Sequence, residues 1–350
     1  MPEGRIPAFY VRVTEHLFSP LPEYLHVSGA SQRDLHDRAR ACTTERFGRQ
    51  VFARAVVEVS NYCRENCTYC GMRRENRTLG RYRARLDQLS RLLIEDRPAT
   101  VTDINIQGGE DPVVVREVVL PLIKLLRRET SLGISVCLGT LDRDLYGRLK
   151  EAGASIYIIK FETADESLYV RMQAPGTLDE RVAQIRQLAA DGWQVSSGFI
   201  SDLPGQDDAS LMSNFELARR LPLAGCSVSP FIPGDETPLA ASPAGGIDLA
   251  LNCMAVLRLM RPDWVIPAVS ALNLAEPGAG YRRGLRAGAN LVTINMTPSE
   301  VRGDYLLYKR DRFIMTEERI LSAIAAERLS PSEQSLAEFY ESTAPKLAEA

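Results

Sequence analysis

The chain has 350 residues, a formal net charge of −3, 45% hydrophobic and 25% charged residues. That composition belongs to a globular protein with a sizeable core, and its weakly acidic balance excludes a broad basic field for nucleic acid or an anionic membrane. No apolar run of about 18 residues and no signal-peptide pattern occurs, so the expected location is cytoplasmic.

Residues 1–50 read as a charged helical extension, with Arg33-Asp34-Leu35-His36-Asp37-Arg38-Ala39-Arg40 as a helix fragment. From residue 51 short β-rich runs alternate with longer amphipathic ones. Strands are predicted at 55–60, 102–107, 134–138, 156–161, 195–200, 226–230, 265–269 and 291–295. Helices are predicted at 86–95, 113–129, 142–152, 178–191, 209–221, 249–261 and 281–287, where apolar residues recur at three- and four-residue spacing. Gly153, Gly192 and Gly288 follow three of these helices as stop signals, because glycine tolerates the left-handed turn that closes a helix. The alternation implies parallel pairing with right-handed crossovers. The expected fold is α/β, a closed (β/α)8 TIM-type barrel over 51–315, with an open six-stranded barrel as the alternative. A tail over 316–350 reads as helices interrupted at Ser330-Pro331-Ser332.

The first strand runs into Cys63-Arg64-Glu65-Asn66-Cys67-Thr68-Tyr69-Cys70. Three thiols in the spacing C-x3-C-x2-C, with no fourth nearby, suit an iron–sulfur cluster that keeps one iron free for a ligand other than protein. Zinc competes, but it needs four ligands, and the histidines His16, His26 and His36 stand at no usual zinc spacing from the trio. The scattered Cys42, Cys137, Cys226 and Cys253 read as small buried apolar side chains, not as a disulfide framework.

Barrel chemistry collects at the C-terminal ends of strands. The strand ends here carry Gln107-Gly108-Gly109-Glu110-Asp111-Pro112, Lys160-Phe161-Glu162-Thr163 and Ser229-Pro230-Phe231-Ile232-Pro233-Gly234, all expected at one mouth with the cysteines. On the same ground Asp111, Lys160, Ser229, Ser270, Asn273 and Asn295 are candidate substrate contacts. Each has the competing reading of a capping or loop-satisfying polar residue.

C-x3-C-x2-C with Tyr69 just before the last cysteine is similar to the signature of radical S-adenosylmethionine (SAM) enzymes, and Gly108-Gly109-Glu110 resembles that superfamily's second motif. Ser60-Asn61-Tyr62-Cys63, Gly71-Met72-Arg73-Arg74, Phe161-Glu162-Thr163-Ala164, Leu203-Pro204-Gly205-Gln206 and Pro230-Phe231-Ile232-Pro233 narrow the resemblance to the biotin synthase-like group containing the FeFe-hydrogenase maturases. Val256-Leu257-Arg258-Leu259-Met260 and Ala287-Gly288-Ala289-Asn290 also suit the methylornithine synthases of that group. The resemblance covers roughly residues 35–325.

It implies a 4Fe-4S cluster on Cys63, Cys67 and Cys70 with SAM on the fourth iron. Tyr69 and the backbone of Phe231 and Ile232 would lie at the adenine, Gly108, Gly109 and Glu110 at the methionine amine, Glu162 at the ribose and Arg181 at the SAM carboxylate. It further implies a 5′-deoxyadenosyl radical that takes hydrogen from a small, amino-acid-derived substrate, in a reaction of mutase or lyase type. An external one-electron reductant such as flavodoxin or ferredoxin would feed it. A maturase-like role in metallocofactor assembly is the alternative, and a non-catalytic iron–sulfur or zinc protein the alternative of another class.

The chain also departs from these relatives. It has no cysteine after Cys253, and Pro233-Gly234-Asp235-Glu236-Thr237-Pro238-Leu239 lacks the histidine of the maturase motif. Ser227 stands where a methylornithine synthase has a basic residue, and Ala268-Val269-Ser270-Ala271-Leu272-Asn273 offers no acid. The substrate is therefore expected to differ.

Overall fold

The computed structural model describes residues 21–311 and 313–343. The first part of the expected N-terminal extension, His16 included, and residues 344–350 lie outside them.

Strand β1 (Gln50–Ser60) begins earlier than its apolar run suggested and is buried along nearly its whole length. It is followed by β2 (Asp103–Gly108), β3 (Gly133–Cys137), β4 (Ile156–Ile158), β5 (Gln194–Ser201), β6 (Gly225–Pro230) and β7 (Leu291–Asn295). All pair in parallel, in the order β6-β5-β4-β3-β2-β1-β7. Helices cover the outside, which explains why the strands lack polar alternation. Helix Leu178–Ala190 starts in a capping box between Thr177 and Glu180. Gly153, Gly192 and Gly288 all adopt positive φ, as their place after helices required. The helical run from Pro112 to Glu129 contains a π turn at Val115–Val119, ahead of Pro121, whose ring nitrogen has no hydrogen to donate.

The seventh predicted strand, 265–269, is not one. Two isolated parallel bridges, Gly225 to Val265 and Pro267 to Leu291, tack this segment between β6 and β7. Pro267 has no N–H for a ladder, and the N–H of Ile266 is taken by the Asn290 side chain at 2.8 Å. The barrel is thus a sheet for seven of its positions and pinned at the eighth.

The tail shuts the far end. Ser330–Pro331 (β8), read as a break from sequence, pairs with the start of β1. The following helix, Leu336–Thr343, is anchored by the Leu336 N–H on the Asp103 carboxylate (2.9 and 3.0 Å) and by the Tyr340 hydroxyl on the Ala224 carbonyl (3.2 Å). Leu336 and Tyr340 pack with Phe52, Ile156, Val265 and Leu291 into an apolar plug at the strand starts. On the other flank, helix Gly29–Phe47 lays Leu35 and Ala39 on Ala255 and Leu259 of helix Ile247–Met260. That second helix is buried on both sides. Its Arg258 survives there by donating to the carbonyls of Gly288, Pro262 and Trp264 and to Asn290 Oδ1, at 2.8–2.9 Å.

Candidate active site

The chain leaves β1 at Ser60 and makes the excursion that carries the thiols. Two side chains that sequence reading passed over fix its shape. Buried Asn61 donates to the carbonyls of Gly80 and Asp304 at 2.7 Å each and accepts from the Tyr82 N–H at 2.8 Å. Arg81 donates to the carbonyls of Asn61, Met72, Arg73 and Asn76. Across from them Gly109 passes so near that a Cβ would stand 2.2 Å from the Tyr62 carbonyl oxygen and 2.9 Å from Cys63 Cβ, so only glycine fits. This close approach aims the Glu110 N–H at Cys63 Sγ, 3.4 Å away.

Cys63, Cys67 and Cys70 line one end of a cavity of about 340 Å³ that runs down the inside of the barrel. Burial pushes all three thiols above their usual pKa. Repulsion from its two neighbours raises Cys67 further, and Cys70 is pushed up to about 12. Without a partner the trio stays protonated; holding it as thiolates takes a cationic centre, which iron supplies. Among the described residues no three His, Cys, Asp or Glu side chains are gathered round a single metal ion. Three thiols on one wall are the donor set that suits an iron–sulfur cluster.

Charged groups follow along the cavity wall. Glu110 accepts from the Thr140 N–H (2.8 Å) and Arg64 Nε (3.1 Å), with Arg181 Nη2 3.8 Å away and both members of that pair buried. Glu162, just past β4, has φ +61°, a left-handed backbone uncommon outside glycine. Its N–H donates to Gly198 and its carbonyl accepts from Ile200, so the sheet holds the strained residue in place. Burial raises the Glu162 carboxyl against the pull of Lys160 and Arg181. Burial works against the Lys160 ammonium, but Tyr308 and Glu162 outweigh it and hold its pKa above the usual lysine value. Lys160 Nζ donates to Ser229 Oγ at 3.3 Å.

Deep in the cavity lies Arg54, which points inward from β1. Among the described residues it makes no hydrogen bond or ion pair, and its Nε is buried without a partner. The neighbouring Asp103 carboxylate is taken by the Leu336 N–H and the Thr102 hydroxyl. Neither Arg54 nor Tyr308 was singled out from sequence. Arg54 sits inside an apolar-looking strand, and Tyr308 in a loop after β7.

The cavity wall gathers the three cysteines with Tyr69, Gly108, Gly109, Glu110, Glu162, Arg181, Phe231 and Ile232. Of the expected substrate contacts it includes Lys160, Ser229, Ser270 and Asn295. The remaining two, Asp111 and Asn273, do not line it. Asp111 turns away into a buried network, taking both guanidinium arms of Arg83 (2.6 and 3.0 Å), the Ser60 hydroxyl (2.8 Å) and the Val113 N–H (3.2 Å). Asn273 is buried in helix Ser270–Ala275 and accepts from the Tyr281 N–H at 3.2 Å. These contacts match the competing reading of a capping or loop-satisfying residue, although Asn273 Nδ2 is buried without a partner among the described residues.

The radical SAM superfamily model matches residues 57–218. The chain is 34% identical over 264 residues to the [FeFe] hydrogenase maturase subunit HydE of Thermotoga maritima, covering 75% of this chain and 74% of that protein. The chain belongs to the radical SAM superfamily. It is also 28% identical to the 3-methylornithine synthase of Methanosarcina barkeri, over 82% of this chain and 83% of that one. In fold, this radical SAM barrel matches the crystal structure of methylornithine synthase with a TM-score of 0.83 at 24% identity, covering 95% and 99% of the two chains. It matches HydG, a maturase of the [FeFe]-hydrogenase, with a TM-score of 0.75 at 18% identity, covering 95% of this chain and 77% of that one. Its cofactors are those of the superfamily, a 4Fe-4S cluster on three cysteines and SAM. Among the described residues no helix is long and apolar enough to cross a membrane.

Proposed function

We propose that this radical SAM enzyme acts on a small, amino-acid-derived molecule bearing an anionic group, which it rearranges or fragments. The observation that carries the reading is that the thiol wall and Arg54, which has no hydrogen-bond or ion-pair partner among the described residues, lie in one continuous cavity. A buried cation left without a protein partner is costly, and a substrate carboxylate would supply the missing one.

Cys63, Cys67 and Cys70 would hold the cluster. Arg181 would face the SAM carboxylate, Glu162 the ribose hydroxyls, and Tyr69 with the Phe231–Ile232 backbone the adenine. Glu110 already accepts two hydrogen bonds, yet a carboxylate offers about four lone-pair sites, enough to take an ammonium as well. Gly108 and Gly109 leave the room for that approach. When bound, the two cofactors supply a 5′-deoxyadenosyl radical. The residues of this chain then orient the substrate under it, with Arg54 on the anionic end and Lys160 and Ser229 midway, while the tail helix closes the barrel to solvent from below.

The higher identity to the hydrogenase maturase supports a second reading, assembly of a metallocofactor from a small precursor. Anaerobic reconstitution with SAM, a reductant and deuterated amino-acid candidates separates the two. The leading reading expects deuterium in 5′-deoxyadenosine from one of them, and no cleavage by Cys67→Ala. Cleavage that takes label from none of the amino-acid candidates would leave the maturase-like reading standing.

A further inference from the structure

We infer that the C-terminal helix belongs to the substrate site: its first residue, Leu336, together with Gly133, holds the Asp103 carboxylate off Arg54, so that Arg54 stays free for a carboxylate ligand. This rests on the reading of Arg54 as the anion-binding group and adds the residues that keep it available. Thr293, Arg54, Asp103 and Gly133 stand side by side in the register of β7, β1, β2 and β3. Neighbouring strands lie about 5 Å apart, so Asp103 is well placed to neutralise Arg54. Two opposite charges that close inside a barrel would ordinarily pair, because each is costly alone. They do not: among the described residues Arg54 has no hydrogen-bond or ion-pair partner.

Two features turn Asp103 the other way. A Cβ on Gly133 would stand 2.0 Å from Asp103 Oδ1, so the carboxylate leans into space that any other residue at the start of β3 would fill, on the side away from β1. Gly133 is not among the glycines of positive φ, so room is what it provides. The Leu336 N–H then donates to both carboxylate oxygens (3.0 and 2.9 Å), and the Thr102 hydroxyl donates to one (2.9 Å). An N–H in the first turn of a helix has no acceptor within the helix, so the tail brings a donor that needs this acid. Leu336 and Tyr340 also line the cavity floor, in the same cavity as Arg54. The docked tail thus satisfies the acid and leaves the cation over. Without the Leu336 N–H, the nearest replacement donor for Asp103 is the Arg54 guanidinium, and the anion site closes on itself.

The test uses thermal melts of the anaerobic full-length holoenzyme, with acetate as the carboxylate probe. Leu336→Pro removes the one N–H at a helix position where proline is tolerated, and the capping box of Ser335 and Glu338 still holds the helix start. Acetate should raise the wild-type melting midpoint, and Arg54→Met should abolish that response. Leu336→Pro should weaken acetate about tenfold or more, as Asp103 occupies Arg54 for most of the time. In an Asp103→Asn background the same proline should cost about twofold or less, because the competing charge is gone. Without any ligand, Arg54→Met should raise the midpoint of the wild type but lower that of Leu336→Pro, where Arg54 has gained a partner. Gly133→Ala, which leaves the tail sequence untouched, carries the same expectations should the proline variant not fold. The proposal is overturned if Leu336→Pro weakens acetate equally with and without the Asp103 charge, or if Arg54→Met shifts the midpoint in the same direction in both backgrounds. A wild type that does not respond to acetate would instead strike the anionic-substrate reading, since the ligand-free melts decide the role of the tail by themselves.

Discussion

Two buried arginines should respond in opposite directions to the same substitution. Arg258 donates four hydrogen bonds, so Arg258→Met takes a donor from three carbonyls and from Asn290 Oδ1, of which Gly288 keeps the Thr43 hydroxyl and Asn290 the Ile266 N–H. At about 1 kcal/mol per lost bond the cost is about 3–4 kcal/mol. Arg54 donates none among the described residues, and burial pulls its pKa below the usual arginine value. An orphaned buried donor costs about 1–3 kcal/mol. Part of the guanidinium faces the cavity, where water relieves it, so the lower end applies. Arg54→Met keeps the apolar stem and most of the volume; it should raise stability by about 1 kcal/mol, or roughly 2 °C in the thermal midpoint. The same change should cut substrate-coupled turnover by about tenfold or more, because the anion loses its partner, while leaving uncoupled SAM cleavage near wild type. Thermal melts of the anaerobic protein, alongside product and 5′-deoxyadenosine assays, read both. An Arg54→Met protein destabilised as much as Arg258→Met would refute the reasoning, since it would mean that Arg54 is a structural donor and not a vacant binding group.

Gly109→Ala should lose most of the bound iron with little change in the circular dichroism of the barrel, because a Cβ 2.2 Å from the Tyr62 carbonyl oxygen must displace the thiol excursion but not the sheet. Iron content near wild type would show that the excursion shifts at no cost. For Asp111, burial raises the carboxyl, yet Arg83 and Ser60 outweigh it and the net pKa lies below the usual aspartate value. A depressed folded pKa gives stability that is present above the unfolded value of about 3.9 and is lost as pH falls through the folded one. Arg83→Ala should therefore lower the urea midpoint at pH 7 by an amount worth about 1 kcal/mol, with the gap closing as pH falls below the ordinary aspartate range. A gap that persisted in acid would assign the effect to packing of Arg83 on the Tyr62 ring, 4.2 Å away.

Much of the barrel was readable because its signals are local. Apolar runs such as those of β1 and β7 report burial on both faces wherever the strand finds its partner. Gly153 reports a helix end through its own φ, whatever packs around it. The cysteine trio is a chemical statement in itself: three thiols at that spacing ask for one shared soft centre. From such features the sequence by itself determined the parallel α/β architecture, the mouth at which the strand ends gather, and the class of chemistry.

What the tertiary structure decided concerns competition for partners, which no residue announces. Val265–Ala268 has strand-like residues, but Pro267 has no N–H and the Ile266 N–H goes to the Asn290 side chain, so only Val265 and Ala268 donate to the neighbouring backbone and the segment is tacked into the ring without a ladder. Asp111 sits at a strand end as an active-site acid would, and Arg83 and Ser60 take it from outside the cavity. Arg54 is one more letter in an apolar run until the fold turns it inward and gives Asp103 to other donors. A polar group becomes available for function only when the packed protein leaves it unsatisfied, and that remainder is a property of all its neighbours at once. The sequence determined the class of chemistry; only the folded barrel decided which charges are left without a protein partner among the described residues.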